Sequence, residues 1–239
     1  MSTTIQFLKL CVLNNMKNIR IIWFLFLFTA GSAYSQKINL DSSNLLPNKV
    51  KMQIDNSQGE NIVRVVKDPT VKEADEPTFV RIKNTDFKNG IIEVEVLSRL
   101  LPTASPTDRG FIGLAFRINE TNSRFEALYI RPTNGRAEDQ VRRNHSIQYF
   151  SFPDYKYERL RKEDPEKYES YADMGLNEWI RMKIEIKGSQ AKLFLNQDKY
   201  PSLIVNDLKQ GAGSSGAIGL FVDVGTEGYF RNLKITPSK

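Results

Sequence analysis

Between Arg124 and Tyr149 the chain gathers a dense set of groups able to hold a polar ligand. The stretch reads RFEALYIRPTNGRAEDQVRRNHSIQY, bringing Arg131, Arg136, Arg142 and Arg143 together with Asn134, Asn144, His145, Gln148 and the aromatics Tyr129 and Tyr149. Guanidinium and amide groups are planar and make paired hydrogen bonds to vicinal hydroxyls, while an aromatic ring covers the apolar C–H face of a sugar. Arginine also grips a carboxylate through two parallel bonds, which suits a uronate or another acidic sugar. Tyr129, Arg131, Asn134, Arg142, Arg143, Asn144, Gln148 and Tyr149 are the candidate ligand-binding residues, and an oligo- or polysaccharide is the expected partner.

Two residues of the same stretch are the candidate catalytic groups. Alternation from Phe125 to Arg131 puts Phe125, Ala127, Tyr129 and Arg131 on one face of a strand, with Glu126, Leu128 and Ile130 on the other. Glu126 then shares its face with two aliphatics, a setting that raises a carboxyl pKa toward that of a working acid or base. An ion pair with a nearby arginine is the alternative for it. His145, the one histidine, follows closely on Arg142 and Arg143. Neighbouring positive charge disfavours the imidazolium and leaves a neutral base at pH 7; a hydrogen-bonded structural histidine is the other reading.

Composition narrows the remaining chemistry. With one histidine and one cysteine, Cys11, neither a His/Cys metal cluster nor a cysteine-based triad is available, and no cofactor is expected. A carboxylate calcium site would draw on Asp223 with Glu227, although no spaced D-x-D loop supports it. Glu93-Val94-Glu95 places two carboxylates on one strand face just after an Asn89-Gly90 turn, where a solvated outward face is the expectation.

The first 35 residues have the order of a secretory leader. Met16 is the better start: Lys17 and Arg20 supply the basic end, Ile21 to Ala30 the apolar core, and Ala33 and Ser35 a small-residue exit before Gln36. The core is about 10 residues, against roughly 20 for a bilayer span, so cleavage and a periplasmic or secreted protein without an integral membrane segment are expected. Cys11 lies before Met16, which leaves no disulfide in the mature chain. Lys9, Lys17 and Arg20 fall in this segment with no acid, so half of the formal net charge of +6 belongs to it. The nearly balanced remainder gives a nucleic-acid partner little support.

Residues 36–239 read as one all-β domain. Trp179 to Lys187 is the clearest strand, with Ile180, Met182, Ile184 and Ile186 on one face and Arg181, Lys183, Glu185 and Lys187 on the other. Similar runs cover 50–54, 61–66, 79–82, 91–97, 111–118, 125–130, 146–152, 218–222 and 229–235, about ten strands in all, which points to a sandwich or jelly roll of antiparallel sheets. One insertion, DYKYERLRKEDPEKYESYADM from Asp154 to Met174, is charged and lacks alternation; Asp164-Pro165 predicts a short helix beginning at Pro165.

The segments FKNGIIEVEV, RGFIGLAFRI, NEWIRMKIEIKGSQAKLFLN and GAIGLFVDVGTEGYFRNLKI, in that order, resemble concanavalin A-like lectin/glucanase domains. These include laminin-G-like modules and the bacterial 3-keto-disaccharide hydrolase-type domain, and the closing strand Phe230-Arg231-Asn232-Leu233-Lys234-Ile235 is similar to that group's. The resemblance implies a concanavalin A-like sandwich and either a carbohydrate-binding module or a glycan-processing enzyme. In the enzyme reading Glu126 or His145 removes a proton beside a sugar ketone and Arg131 steadies the enolate. The glycoside hydrolase E-x-D-x-E strand has only Glu93-Val94-Glu95 as its nearest counterpart, with Glu where Asp would stand and no third acid. A structural or adhesion domain closed by ion pairs is the third possibility.

Overall fold

Alternation of apolar and charged residues becomes two antiparallel sheets in the computed structural model, which describes residues 35–56 and 59–238. The expected leader, its Met16 start and Cys11 lie outside the described residues. Residues Ala33–Lys239 form a unit of their own.

Strands are numbered along the chain. The first sheet holds β1 (Gln36–Lys37), β3 (Val50–Asp55), β4 (Ile62–Lys67), β6 (Gly90–Leu100), β11 (Ile180–Lys187), β12 (Gln190–Leu195), β13 (Leu203–Val205) and β15 (Thr226–Pro237). Its order is β13-β12-β11-β6-β15-β4-β3, with β1 beside β15. The second sheet holds β2 (Leu45–Asn48), β5 (Phe79–Ile82), β7 (Ile112–Ile118), β8 (Phe125–Ile130), β9 (Ile147–Phe152), β10 (Glu169–Ser170) and β14 (Ala217–Val222), in the order β10-β9-β8-β7-β14-β5-β2.

On the first sheet the inner face is Ile92, Val94, Val96, Met182, Ile184, Leu193 and Phe230, all buried. Its outer face is charged and cross-paired: Glu93 with Arg181, and Glu95 with Arg231 at 2.7 Å. The Glu93-Val94-Glu95 carboxylates are thus tied to arginines on neighbouring strands. On the second sheet β7, β8 and β14 are buried on both faces, so alternation alone does not reveal which face is inner. Gly228 of β15 decides it: a Cβ there would meet Val222 Cγ1 at 2.6 Å and Ile112 Cδ1 at 3.0 Å. By cross-strand register the inner layer is therefore Ile112, Leu114, Leu128, Ile130, Leu220 and Val222.

The opposite face of the second sheet carries an aromatic layer of Phe79, Phe125, Tyr129, Phe150 and Phe221, each at most 1 % exposed. Edge-to-face pairs such as Phe79 with Phe125 (5.2 Å) and Phe125 with Phe150 (5.5 Å) knit it, and each fully buried phenylalanine contributes roughly 1.5–3 kcal/mol. Room for these rings comes from Gly113, whose absent Cβ would stand 2.5 Å from Tyr129 Cα. The roof over this layer is the charged insertion with the 71–78 loop: Leu160 is buried, and Lys156 Nζ sits 5.5 Å from the Phe152 ring centre and 2.6 Å from Glu76 Oε1.

The insertion's helix differs from the expectation at Pro165. It is α3 (Tyr157–Glu163), and it ends before that proline. Asp75 Oδ2 accepts from the Tyr157 N–H at 2.8 Å, a cap delivered from 82 residues away that starts the helix early. Asp164 precedes proline and is driven out of helical geometry, to φ −138 and ψ 73. Two further short helices, α1 (Pro132–Gly135) and α2 (Gln140–Asn144), link β8 to β9. No helix among the described residues is long and apolar enough to cross a membrane.

Candidate functional site

Arg131 follows β8 on the aromatic side, as the strand phase requires, and its backbone N–H still pairs with Ser146 O at 2.7 Å. Arg131 is 4 % exposed, and both terminal nitrogens are fully engaged: Nη1 donates to His145 O (3.0 Å) and Glu169 Oε1 (2.9 Å), and Nη2 to the Tyr129 hydroxyl (2.9 Å) and Gln148 Oε1 (3.0 Å). Glu169 of β10 also accepts from Arg161 Nε at 2.7 Å and Nη2 at 2.5 Å. Burial works to raise the Glu169 carboxyl, but Arg161 first and then Arg131 and His145 outweigh it and hold the group below the ordinary value. This cluster fixes the side chains behind the cleft wall.

The cleft itself, of about 610 Å³, lies where the roof leaves the end of the aromatic face uncovered. Arg109, Phe111, Arg131, Arg142, His145, Tyr157, Arg161 and Asp223 are among the residues lining it. Arg142 is held by Asn134: its Nε donates to Asn134 Oδ1 at 2.9 Å, while Asn134 Nδ2 donates to His145 O at 2.9 Å. Arg109 keeps its proton less firmly than usual, through burial and then the positive charges of Arg142 and Arg131, which Asp108 only partly offsets. His145 lies below the ordinary histidine value chiefly through burial, which outweighs the opposing pull of Glu169, with Arg161 and Arg131 adding to the lowering. Its Nδ1 stands 2.9 Å from Glu169 Oε2, without the alignment of a hydrogen bond. The sequence left a neutral base and a hydrogen-bonded structural histidine both open; burial is the main cause of the lowering, and the arginines that add to it are Arg161 and Arg131, not the sequence neighbours Arg142 and Arg143.

Beneath this wall two carboxylates meet. Asp223 is buried and accepts from Lys67 Nζ (2.5 Å), Val224 N (2.8 Å) and Asp75 N (2.8 Å). Asp75, also buried, is pushed up to about 7 by burial and by the charge of Asp223. Glu227 is engaged elsewhere, with Arg64 Nε at 2.6 Å, so the Asp223–Glu227 pairing considered for calcium does not assemble.

Among the residues singled out from sequence, Tyr129, Arg131, Asn134, Arg142 and His145 converge on this cleft, and Gln148, fully buried, supports it by holding Arg131. Arg143 and Asn144 face away: Arg143 bonds the Tyr171 hydroxyl at 2.8 Å and stacks over that ring, and Asn144 opens onto a separate cavity of about 160 Å³. Glu126 and Tyr149 require correction. Both are wholly buried on the inner face, opposite to Arg131, and are bonded to each other at 2.6 Å. Glu126 is also the ion-pair partner of Arg117 at 3.2 Å, so no ligand in the cleft reaches it. Arg109, Tyr157, Arg161, Glu169 and Asp75 were missed. Arg109 opens the RGFIGLAFRI segment and Arg161 sits in the insertion, but neither location carries a phase that would aim a side chain at β8.

The two facing antiparallel sheets make a jelly-roll β-sandwich of the concanavalin A-like kind. The chain belongs to the 3-keto-alpha-glucoside-1,2-lyase-like domain family, whose model matches residues 42–236. Among solved structures it is similar to a Bacillus subtilis protein of unknown function with a galectin-like fold, at 12% identity and TM-score 0.52, covering 85% of this chain and 94% of that one. It is also similar to a carbohydrate-binding module from Bacillus subtilis, at 14% identity and TM-score 0.49, covering 80% and 97%. A third is a Bacillus licheniformis beta-glucanase, at 10% identity and TM-score 0.40, covering 87% and 94%. No curated protein sequence matches the chain.

Proposed function

We propose that the protein recognises a saccharide in the cleft beside His145, and that this sugar carries a carboxylate or a keto oxygen. The observation behind this reading is the convergence of Arg109, Arg131 and Arg142, whose charges and burial together weaken the hold of Arg109 on its proton. An anionic or electron-rich oxygen between Arg109 and Arg142 relieves that repulsion, and Arg142 is already aimed by Asn134. Phe111, half-buried at the mouth of the cleft, supplies ring surface to the same space. Calorimetric titration with uronate-bearing and neutral oligosaccharides tests it: the acidic ligands bind and Arg142→Ala abolishes that binding. Equal affinity of the Arg142→Ala protein would refute the assignment. The basic, apolar and small-residue order of residues 16–35 supports export to the periplasm or beyond; N-terminal sequencing of the mature protein beginning at Gln36 checks it.

A second reading, favoured by the neutral His145 and by membership of a lyase-like family, is that the bound sugar is also cleaved. His145 takes the proton from the carbon beside a ring ketone, and the C–H electron pair forms an enolate held by Arg109 and Arg142. That pair then expels the neighbouring glycosidic oxygen, to which the imidazolium returns the proton. Arg131, spent on four partners, positions the wall instead of touching the enolate. Release of an unsaturated ketosugar, lost in His145→Ala, distinguishes cleavage from binding; affinity without product leaves the binding reading alone.

A further inference from the structure

We infer that the outer face of the first sheet carries a second saccharide-binding strip, on the opposite side of the sandwich from the cleft and independent of it. A groove of about 820 Å³ runs there across β3, β4, β15 and β6 to Trp179, the residue before β11. Register lines up its floor: Tyr229 of β15 lies opposite Leu97 of β6 on one side and Arg64 of β4 on the other, and Arg64 lies opposite Gln53 of β3. Ile180 pairs with Val96, so Trp179 continues that register opposite Leu97. The row therefore reads Trp179, Leu97, Tyr229, Arg64, Gln53.

This row differs from those beside it. The neighbouring row, Arg181, Glu95 and Arg231, is consumed in cross-strand ion pairs, with Arg181 on Glu93 and Arg231 on Glu95. Here two half-buried aromatic rings lie two strands apart, about 10 Å at the usual strand spacing, the reach of a disaccharide. Each ring is braced by a guanidinium: Arg231 Cζ is 4.1 Å from the Trp179 ring centre and Arg99 Cζ 5.1 Å from that of Tyr229. Rings held in place in advance lose little freedom on binding, which favours a weakly adhering ligand such as a sugar chain. At the far end of the row Arg64, itself paired through Nε with Glu227 at 2.6 Å, donates from Nη1 to Gln53 Oε1 at 3.1 Å, and the exposed Gln53 amide is the group matched to sugar hydroxyls. The occupant is a saccharide chain laid across the strands, its ring faces on Trp179 and Tyr229.

Trp179 is the one tryptophan of residues 36–239, so in the protein beginning at Gln36 fluorescence reports on the strip alone. The experiment titrates this protein with soluble xylan, laminarin, mannan and polygalacturonate, following Trp179 emission and retardation in native affinity gels. At least one polysaccharide is expected to shift the emission and retard the protein. Tyr229→Ala weakens that binding about ten-fold, the size of one aromatic contact, and Arg99→Ala weakens it less, both with unchanged thermal midpoints, while Arg142→Ala leaves it intact. Absence of any emission shift with all four polysaccharides overturns the strip. So does retardation that Arg142→Ala removes and Tyr229→Ala does not, an outcome that leaves the cleft reading standing.

Discussion

Replacing Glu126 by alanine should cost stability and leave sugar recognition untouched. Glu126 accepts from Arg117 Nη1 at 3.2 Å, the Tyr149 hydroxyl at 2.6 Å and the Gln210 N–H at 3.2 Å, and both partners of the ion pair are fully buried. Arg117 meanwhile donates to the carbonyls of Lys88 (3.0 Å), Gly188 (2.7 Å) and Gly211 (3.1 Å), so it joins three loops at one end of the sandwich and has no route to water. Removing the carboxylate strands that charge, and breaking a buried pair in this way costs about 3–5 kcal/mol. For a domain of this size the thermal midpoint should fall by about 10 °C. Arg117→Met with Glu126→Leu should recover part of the loss, since apolar replacement of both partners removes the stranded charge, but not all of it because three carbonyls lose their donor. Urea unfolding of the single and double variants gives the coupling energy, and titration with the cleft ligand at low temperature gives function. A Glu126→Ala protein of undiminished stability that no longer binds or turns over sugar would refute the structural assignment and return Glu126 to the site.

Asp75→Asn should alter the pH dependence of stability. Asp75 titrates at about 7 in the folded chain against an ordinary 3.8, so between those values the folded state keeps a proton that the unfolded state has released. The stability from that proton is full below about pH 4 and gone above about pH 7, a difference of about 4 kcal/mol. Wild type should therefore lose stability relative to Asp75→Asn as pH rises from 4 to 7, and parallel urea midpoints would contradict this. Should the protein turn over a keto-sugar, the acid limb of kcat/KM should fall below the ordinary histidine value of 6.5, with turnover itself lost in His145→Ala; a limb above 6.5 would exclude His145 as the base. Arg136, exposed and paired with Asp173 at 2.8 Å, should change stability by less than about 1 kcal/mol when made alanine, as a thermal melt will show. Gly113→Ala would put a Cβ 2.2 Å from Leu128 O and force β8 outward, at about 1–3 kcal/mol, read from the same melts.

Legibility in the sequence followed solvent exposure. Where one face of a strand meets water, as from Ile180 to Lys187, alternation located both the strand and its inner side. In β8 the alternation correctly separated Glu126 from Arg131, yet both faces are buried, and no local pattern shows which one looks into the sandwich. The partner of Glu126 was hidden for a related reason. Arg117, next to last in β7, has a left-handed φ of 52, a kink that strand periodicity does not anticipate. His145 and Arg142 were legible because they share one polar loop, whereas Glu169, Arg161 and Asp75 reach the site from the roof. Asp164-Pro165 gave a genuine helix signal, but it was outcompeted by a distant carboxylate at Tyr157.

The order of strands also bears on how copies of the protein meet one another. Unpaired strand edges invite a second chain to extend the sheet. Here β10 is two residues long and β13 three, β2 carries Pro47, which lacks an N–H to offer, and β3 alternates exposed Lys51, Gln53 and Asp55. Among the described residues, each border of the two sheets is short, proline-marked or charged, so these edges offer a second copy little template for growth into ordered polymers.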